Sequence, residues 1–118
     1  MMTATATTQG NRRNHPRVPL ATSIQVVHRG RVSHISSQDI SEGGIRLADA
    51  ALSVNSRVKL FVPVPHCELG QLRRARMLMF KGEVVWRRDG DVGVRFVEPP
   101  LEHLLEVRDF VSHAAQAA

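Results

Sequence analysis

The chain has 118 residues, 42% of them hydrophobic and 23% charged, which is the size of one domain and the composition of a globular rather than a disordered protein. No apolar run approaches the ~20 residues of a membrane-spanning helix, and the single cysteine, Cys67, excludes an internal disulfide framework and fits a reducing cytoplasm. The net charge of +5 is unevenly placed: Arg12, Arg13, Arg17, Arg29 and Arg31 are the only charges in the first 38 residues, after which 11 basic and 11 acidic side chains cancel. A basic segment on a neutral body fits an anionic partner met by that segment, and equally a solvated arm that aids solubility. All the basic residues except Lys59 and Lys81 are arginine, whose planar fork suits phosphate oxygens and the O6/N7 edge of guanine.

Residues 1–11, "MMTATATTQGN", are small and polar without a basic stretch leading into an apolar core, so they read as a disordered tail rather than a signal peptide. From Leu20 the pattern has the period of strands. Ile24 and Val26 alternate with Ser23 and Gln25, Arg29 and Gly30 make a turn, and a second strand runs from about Arg31 to Ser36. "DISEGG", Asp39 to Gly44, interrupts with turn formers before Ile45 and Leu47 restart the alternation. Val58, Leu60, Val62 and Val64 share a strand face that "VPVPH" closes. A longer run from Ala75 to Arg88, bent at Gly82, sets Phe80, Val84 and Trp86 on one side. "RDGD", Arg88 to Asp91, is a hairpin signal, and Val92, Val94 and Phe96 lie on the return strand that Pro99 and Pro100 end. Leu101, Leu104, Val107, Val111 and Ala114 then recur at helical spacing, a stripe that packs on the strands or leaves an exposed part to dock a partner. Five to seven short strands joined by turns, with no helix between them, predict an all-β fold: an antiparallel sheet closed into a small barrel, followed by one C-terminal helix.

Two stretches carry chemistry. In "RNHPR" the proline disfavours helix at His15, and an extended chain sets Arg13 and Arg17 about 13 Å apart, able to grip opposite ends of a compact anion. "DISEGG" offers the Asp39 carboxylate and the Ser41 hydroxyl, then Gly43 and Gly44, where backbone can come close to a ligand. Asp39 and Ser41 by themselves also fit a capped turn. A carboxylate only accepts hydrogen bonds, so a carboxylate beside guanidinium forks suits a ligand with both N–H donors and phosphates, such as a guanine nucleotide. Trp86 reads as a half-buried barrel residue; at the mouth of a barrel its ring would cover a guanine. The six histidines lack metal-ligand spacing, His66 and Cys67 read as loop residues, and no nucleophile–base pair points to an enzyme.

Arg-x-x-x-Arg before the first strand with Asp-x-Ser-x-x-Gly after the second, about twenty residues apart, resembles the PilZ domain, the bacterial receptor module for cyclic di-GMP. "GGIRL", "GEVVW" and "VGVRFV" stand where that family has strands, so the resemblance runs from Arg12 to about Val111. It implies a six-stranded antiparallel barrel with a flexible N-terminal switch loop, divided as a tail (1–11) and a domain (12–116) made of the loop (12–19), barrel (20–98) and helix (100–116). It also implies ligand contacts by Arg12, Arg13, Arg17, Asp39, Ser41 and Gly44, and with Gly43 and Trp86 from the reading of the residues these make the expected ligand-binding set. Arg13 and Arg17 would hold phosphates and guanine O6/N7 edges, Asp39 would accept from guanine N1–H and the exocyclic amine, Ser41 would add a hydroxyl contact, and Gly44 would let the backbone turn against the ligand. Arg12 is associated in that family with an intercalated dimer of cyclic di-GMP. The expectation is therefore a cytoplasmic receptor, monomer or weak homodimer, with no metal and no cofactor beyond the ligand, that signals to an effector protein when its arm becomes ordered. Two rivals are a nucleotide-free PilZ-like interaction module and a small-barrel binder of single-stranded nucleic acid. The second is poorly served by a chain with no tyrosine, four phenylalanines and one tryptophan.

Overall fold

Alternation of apolar and polar residues buries one face of each strand, and in the computed structural model, which describes residues 15–117, those faces turn inward on a common core. The strands are β1 (Val18–Pro19), β2 (Ser23–His28), β3 (Arg31–Ile40), β4 (Gly44–Leu47), β5 (Arg57–Glu68), β6 (Gln71–Arg88) and β7 (Asp91–Phe96), followed by helix α1 (Leu101–Ala117). All pair antiparallel, in the order β1-β3-β2-β5-β6-β7-β4, and a further pairing of β3 with β4 closes β2 to β7 into a ring of six. Closure removes the open edges of the ring itself, while β5 beyond Phe61 and the first half of β6 extend past it as a two-stranded hairpin.

The closing device is in β3. Residues 31–36 pair with β2, whereas Ser37 to Ile40 pair with β4, and the register shifts between Ser37 and Asp39. Such a bulge bends a strand and lets it change neighbours. The expected turn at "DISEGG" therefore begins later than its first residues suggest, because Asp39 and Ile40 still belong to the strand. Buried Ser37 fastens the corner: its hydroxyl donates to the Leu20 carbonyl and accepts from the Thr22 N–H. Val18 pairs with Ile40 and Pro19 with Asp39. The last two residues of the expected 12–19 loop are thus strand, and they fix the chain just after Arg17.

The core contains Ile24, Val26, Ile40, Ile45, Leu47, Leu60, Val62, Val64, Phe80, Val84 and Val92, all but fully buried. Phe80 stacks on Phe96 with ring centroids 4.1 Å apart. From α1, Val107, Phe110 and Val111 join the same cluster, with Ala114 packed against it. Leu101, expected on the buried stripe, is exposed, and Phe110 takes the more central place.

Three expectations are corrected in β5 and β6. The prolines of "VPVPH" lie within β5, not at its end. Pairing with β2 stops at Phe61, so Pro63 and Pro65 sit where β5 is an edge, the position a strand proline tolerates. His66 and Cys67 are consequently strand residues, and β6 begins at Gln71. The long hairpin turns at Leu69–Gly70, with φ of 52° and 75°. It is tied to α1 by Glu106, whose carboxylate lies 3.0 Å from both His66 Nδ1 and Arg76 Nη1. At the other end of β6 the expected Asp89–Gly90 turn forms, with φ of 53° and 87°.

Phe80→Ala removes a fully buried ring from the stack, and such truncations cost about 3–5 kcal/mol. Urea unfolding should show a midpoint far below wild type. A shift worth less than about 1 kcal/mol would mean that the Phe80–Phe96 stack is not central to the core.

Candidate functional site

Arg17 and Asp39 meet because β1 is laid along the end of β3. Pro19 pairs with Asp39, which brings Arg17 Nη1 to 2.7 Å from Asp39 Oδ1. The carboxylate is half-buried and the arginine more exposed, at 23% and 47% side-chain accessibility. An exposed pair of this kind contributes little stability. It does leave an acceptor and a fork of donors side by side at the surface, since Arg17 has further N–H groups and Asp39 a second oxygen.

The turn after β3 is built by Ser41. Its N–H donates to the Gly44 carbonyl at 2.9 Å and its hydroxyl accepts from the Gly43 N–H at 3.2 Å. Ser41 is thus a turn former, and its hydroxyl hydrogen remains free to donate. The need for Gly44 is steric. A Cβ there would lie 2.1 Å from the Val94 carbonyl oxygen, so β4 could not pair with β7. This reason differs from the expected approach of backbone to ligand. At Gly43 a Cβ would meet the His15 ring at 3.1 Å, so the start of the described chain crosses this turn.

These elements border a groove of about 660 Å³, lined among others by Arg17, Ser41, Gly44, Trp86, Arg95 and Arg108. That volume lies within the range of small-molecule sites. Of the expected set, Arg17, Ser41, Gly43, Gly44 and Trp86 line it, and Asp39 stands beside it on Arg17. Arg12 and Arg13 lie outside the described residues.

Trp86 is placed differently from its expected side. Pairing steps from Val84↔Val94 to Trp86↔Gly93, a bulge at Val85. The bulge turns Val84 to the core and Trp86 outward, half-buried on the groove, although the two are an even number apart.

Three arginines on this outer surface were not singled out from the sequence. Arg46 alternates with buried Ile45 and Leu47, and Arg95 with Val94 and Phe96, so period-two reading predicts that both point outward. Arg95 is held by Glu83 at 2.7 Å. Arg108 comes from α1 and pairs with Glu42 at 3.1 Å; no local pattern links residues 42 and 108. Arg46 donates to Asp91 Oδ2 at 2.8 Å. The hydrogen bond from Arg46, foremost, holds the Asp91 carboxyl below its ordinary value against a desolvation that raises it, and the Arg46 charge, the Asp49 backbone and Gln38 add to the lowering.

The sequence model of the PilZ domain matches residues 11–113. The chain belongs to the PilZ family. Its fold is similar to that of three solved structures. The structure of Bacillus subtilis Inhibitor of motility (MotI/DgrA) superposes with a TM-score of 0.72 at 14% identity, covering 89% of this chain and 52% of that one. The PilZ domain of CeSA from a cellulose-synthesizing bacterium gives 0.57 at 17% identity, with 81% and 94% covered. Borreliella burgdorferi PlzA in complex with c-di-GMP gives 0.60 at 14% identity, with 91% and 45% covered. This chain therefore spans about half the length of MotI and of PlzA. A comparison with curated proteins returned no match.

In this PilZ domain the Asp91 carboxyl is lowered from an ordinary value of 3.8. A lowered carboxylate stabilises the fold above its unfolded value, and that contribution disappears as pH falls through the folded one. Asp91→Asn should therefore be less stable than wild type at neutral pH, and the gap should close progressively below about pH 4. Thermal midpoints measured from pH 7 to pH 2.5 check this; a gap independent of pH would contradict it.

Proposed function

We propose that this PilZ domain is a receptor for cyclic di-GMP that binds in the groove beside Arg17 and Asp39 and passes the signal to a protein partner. The observation that carries the reading is the pairing of a guanidinium fork with a carboxylate on the rim of a groove of nucleotide size. Cyclic di-GMP presents both kinds of complement: phosphates and O6/N7 acceptors for arginine, and N1–H and amino donors for a carboxylate. That PlzA, 45% of whose chain this fold matches, is crystallised in complex with c-di-GMP supports the same choice.

In this reading Arg17 donates to a phosphate or a guanine edge and the free oxygen of Asp39 accepts from the guanine N1–H and amine. Ser41 donates its spare hydroxyl hydrogen, and Trp86 offers a ring face. Arg12 and Arg13, supplied by the segment before His15, complete the phosphate contacts, Arg12 favouring a second, intercalated ligand. The ligand draws that segment onto the groove, and the ordered arm becomes part of the surface an effector reads in the cytoplasm, a shift supplied by the ligand's greater affinity for the ordered state. The role is that of a receptor and not of an enzyme. A nucleic-acid role has less to build on. Phe80 and Phe110 are buried and Phe96, though it lines the groove, is only 5% exposed, which leaves Trp86 and the His15 ring as its accessible flat faces, whereas unspecific binding of single strands stacks successive bases.

Calorimetric titration with cyclic di-GMP tests the reading. Micromolar or tighter binding is expected. Each of Arg17→Ala and Asp39→Ala should weaken it about tenfold or more, as the loss of a charge-assisted hydrogen bond of about 1.5–3 kcal/mol implies. Hydrogen exchange should slow in residues 1–17 on adding ligand. No heat, or binding indifferent to both substitutions, would reject the site. Unchanged exchange with intact binding would reject the ordering of the arm.

A further inference from the structure

The registers of two strand pairs put Trp86, Gly93 and Arg46 in a single row. Trp86 on β6 stands opposite Gly93 on β7, and Arg46 on β4 stands opposite the same Gly93 from the other side. All three face outward, since Val92 and Val94 on either side of Gly93 are buried in the core. The middle position carries no side chain, and the indole uses that space. A Cβ on Gly93 would lie 2.1 Å from Trp86 Nε1 and 2.3 Å from Cε2, so the ring rests on the glycine backbone.

The far side of the row is Arg46, whose guanidinium carbon is 5.8 Å from the centre of the indole, within reach of a cation–π contact. Asp91, two residues before Gly93 and so on the same outward face, holds that guanidinium through Nη2 at 2.8 Å. Arg46 Nε is buried and has no hydrogen-bond partner among the described residues. The side chain as a whole is 41% accessible, so the hold on the guanidinium is geometric: Asp91 fixes one edge of it and the indole lies beside it.

Resting on the reading of the groove as a cyclic di-GMP site, we infer that Arg46 is a positioning residue. Anchored by Asp91, it holds Trp86 flat across Gly93, so that the indole is a preformed wall against which a guanine stacks. Arg46 need not touch the ligand. Its effect is to remove the rotameric freedom that Trp86 would otherwise lose on binding.

Trp86 is the only tryptophan of the chain, so its fluorescence reports the wall with and without ligand. In the ligand-free protein, Arg46→Met should increase acrylamide quenching of Trp86 and the amplitude of its fast anisotropy decay. Arg46→Lys should restore part of the constraint, and Gly93→Ala should push the ring off its seat with a shifted emission maximum. Cyclic di-GMP affinity should fall by roughly three- to tenfold in Arg46→Met, the scale of ordering one side chain on binding. Should Arg46→Met not fold, Asp91→Ala gives the same fluorescence readout by removing the acceptor that holds the guanidinium. Unchanged quenching and anisotropy in a folded Arg46 variant overturns the inference even if affinity falls. A wild-type protein with a constrained Trp86 and no binding of cyclic di-GMP instead overturns the receptor reading, and the stacking role with it.

Discussion

Strand β3 has to serve two neighbours, and the break between Ser37 and Asp39 is where it passes from one to the other. Without that break β3 would continue beside β2, β4 would have no partner on that side, and the ring would be an open sheet. Two consequences come from the residues on either side of the break. Ser37, turned inward, binds the backbone of Leu20 and Thr22; left unpaired, such buried groups cost about 1–3 kcal/mol each. Asp39, turned outward, receives Arg17 from just ahead of β1, whose far end Ser37 fastens at Leu20 and Thr22. The corner that closes the fold is thus the corner that sets the candidate site.

The groove is walled by strands whose outward residues alternate between charge and bare backbone. Gly44 admits β4 to β7, and Gly93 admits the indole. Beside the uncharged Val85 and Trp86, the charges on this face are paired: Arg46 with Asp91, Arg95 with Glu83, and across the groove Arg108 with Glu42. Pairing of this kind keeps several guanidiniums near one another without leaving them unopposed, and an anion entering the groove competes with carboxylates already in place. Affinity is then a difference between two sets of ion pairs, which favours ligands that offer acceptors and donors together over simple polyanions.

Period-two alternation located most strands, because burying one face of each strand is the main constraint on those residues. It failed where a different constraint ruled. At Trp86 a one-residue bulge inverted the facing, and nothing in "EVVW" marks a bulge. At "VPVPH" the prolines suggested an end, but the absence of a β2 partner beyond Phe61 makes them harmless, a fact of topology rather than of composition. The motif residues Arg17, Asp39, Ser41 and the paired glycines were legible as a set. The reason for Gly44 was not, since it depends on the distance to Val94, fifty residues on. Arg108 was out of reach for the same reason: its partner Glu42 becomes a neighbour only when α1 has docked.

The pairings that complete the ring have a bearing on how the protein is made. The β2–β3, β5–β6 and β6–β7 hairpins join segments adjacent in the chain, but β4 meets β7 only after the whole of β5 and β6 has been laid down between them. Contacts between distant segments form slowly, because the intervening loop must first be ordered. Strand β4 is four residues long, too short to hold a register until both β3 and β7 are in position. The groove lies along that final seam, and the same strand brings Val92, Val94 and Phe96 into the core. An emerging polypeptide therefore completes its core and its groove together, once its last strand has been released and paired.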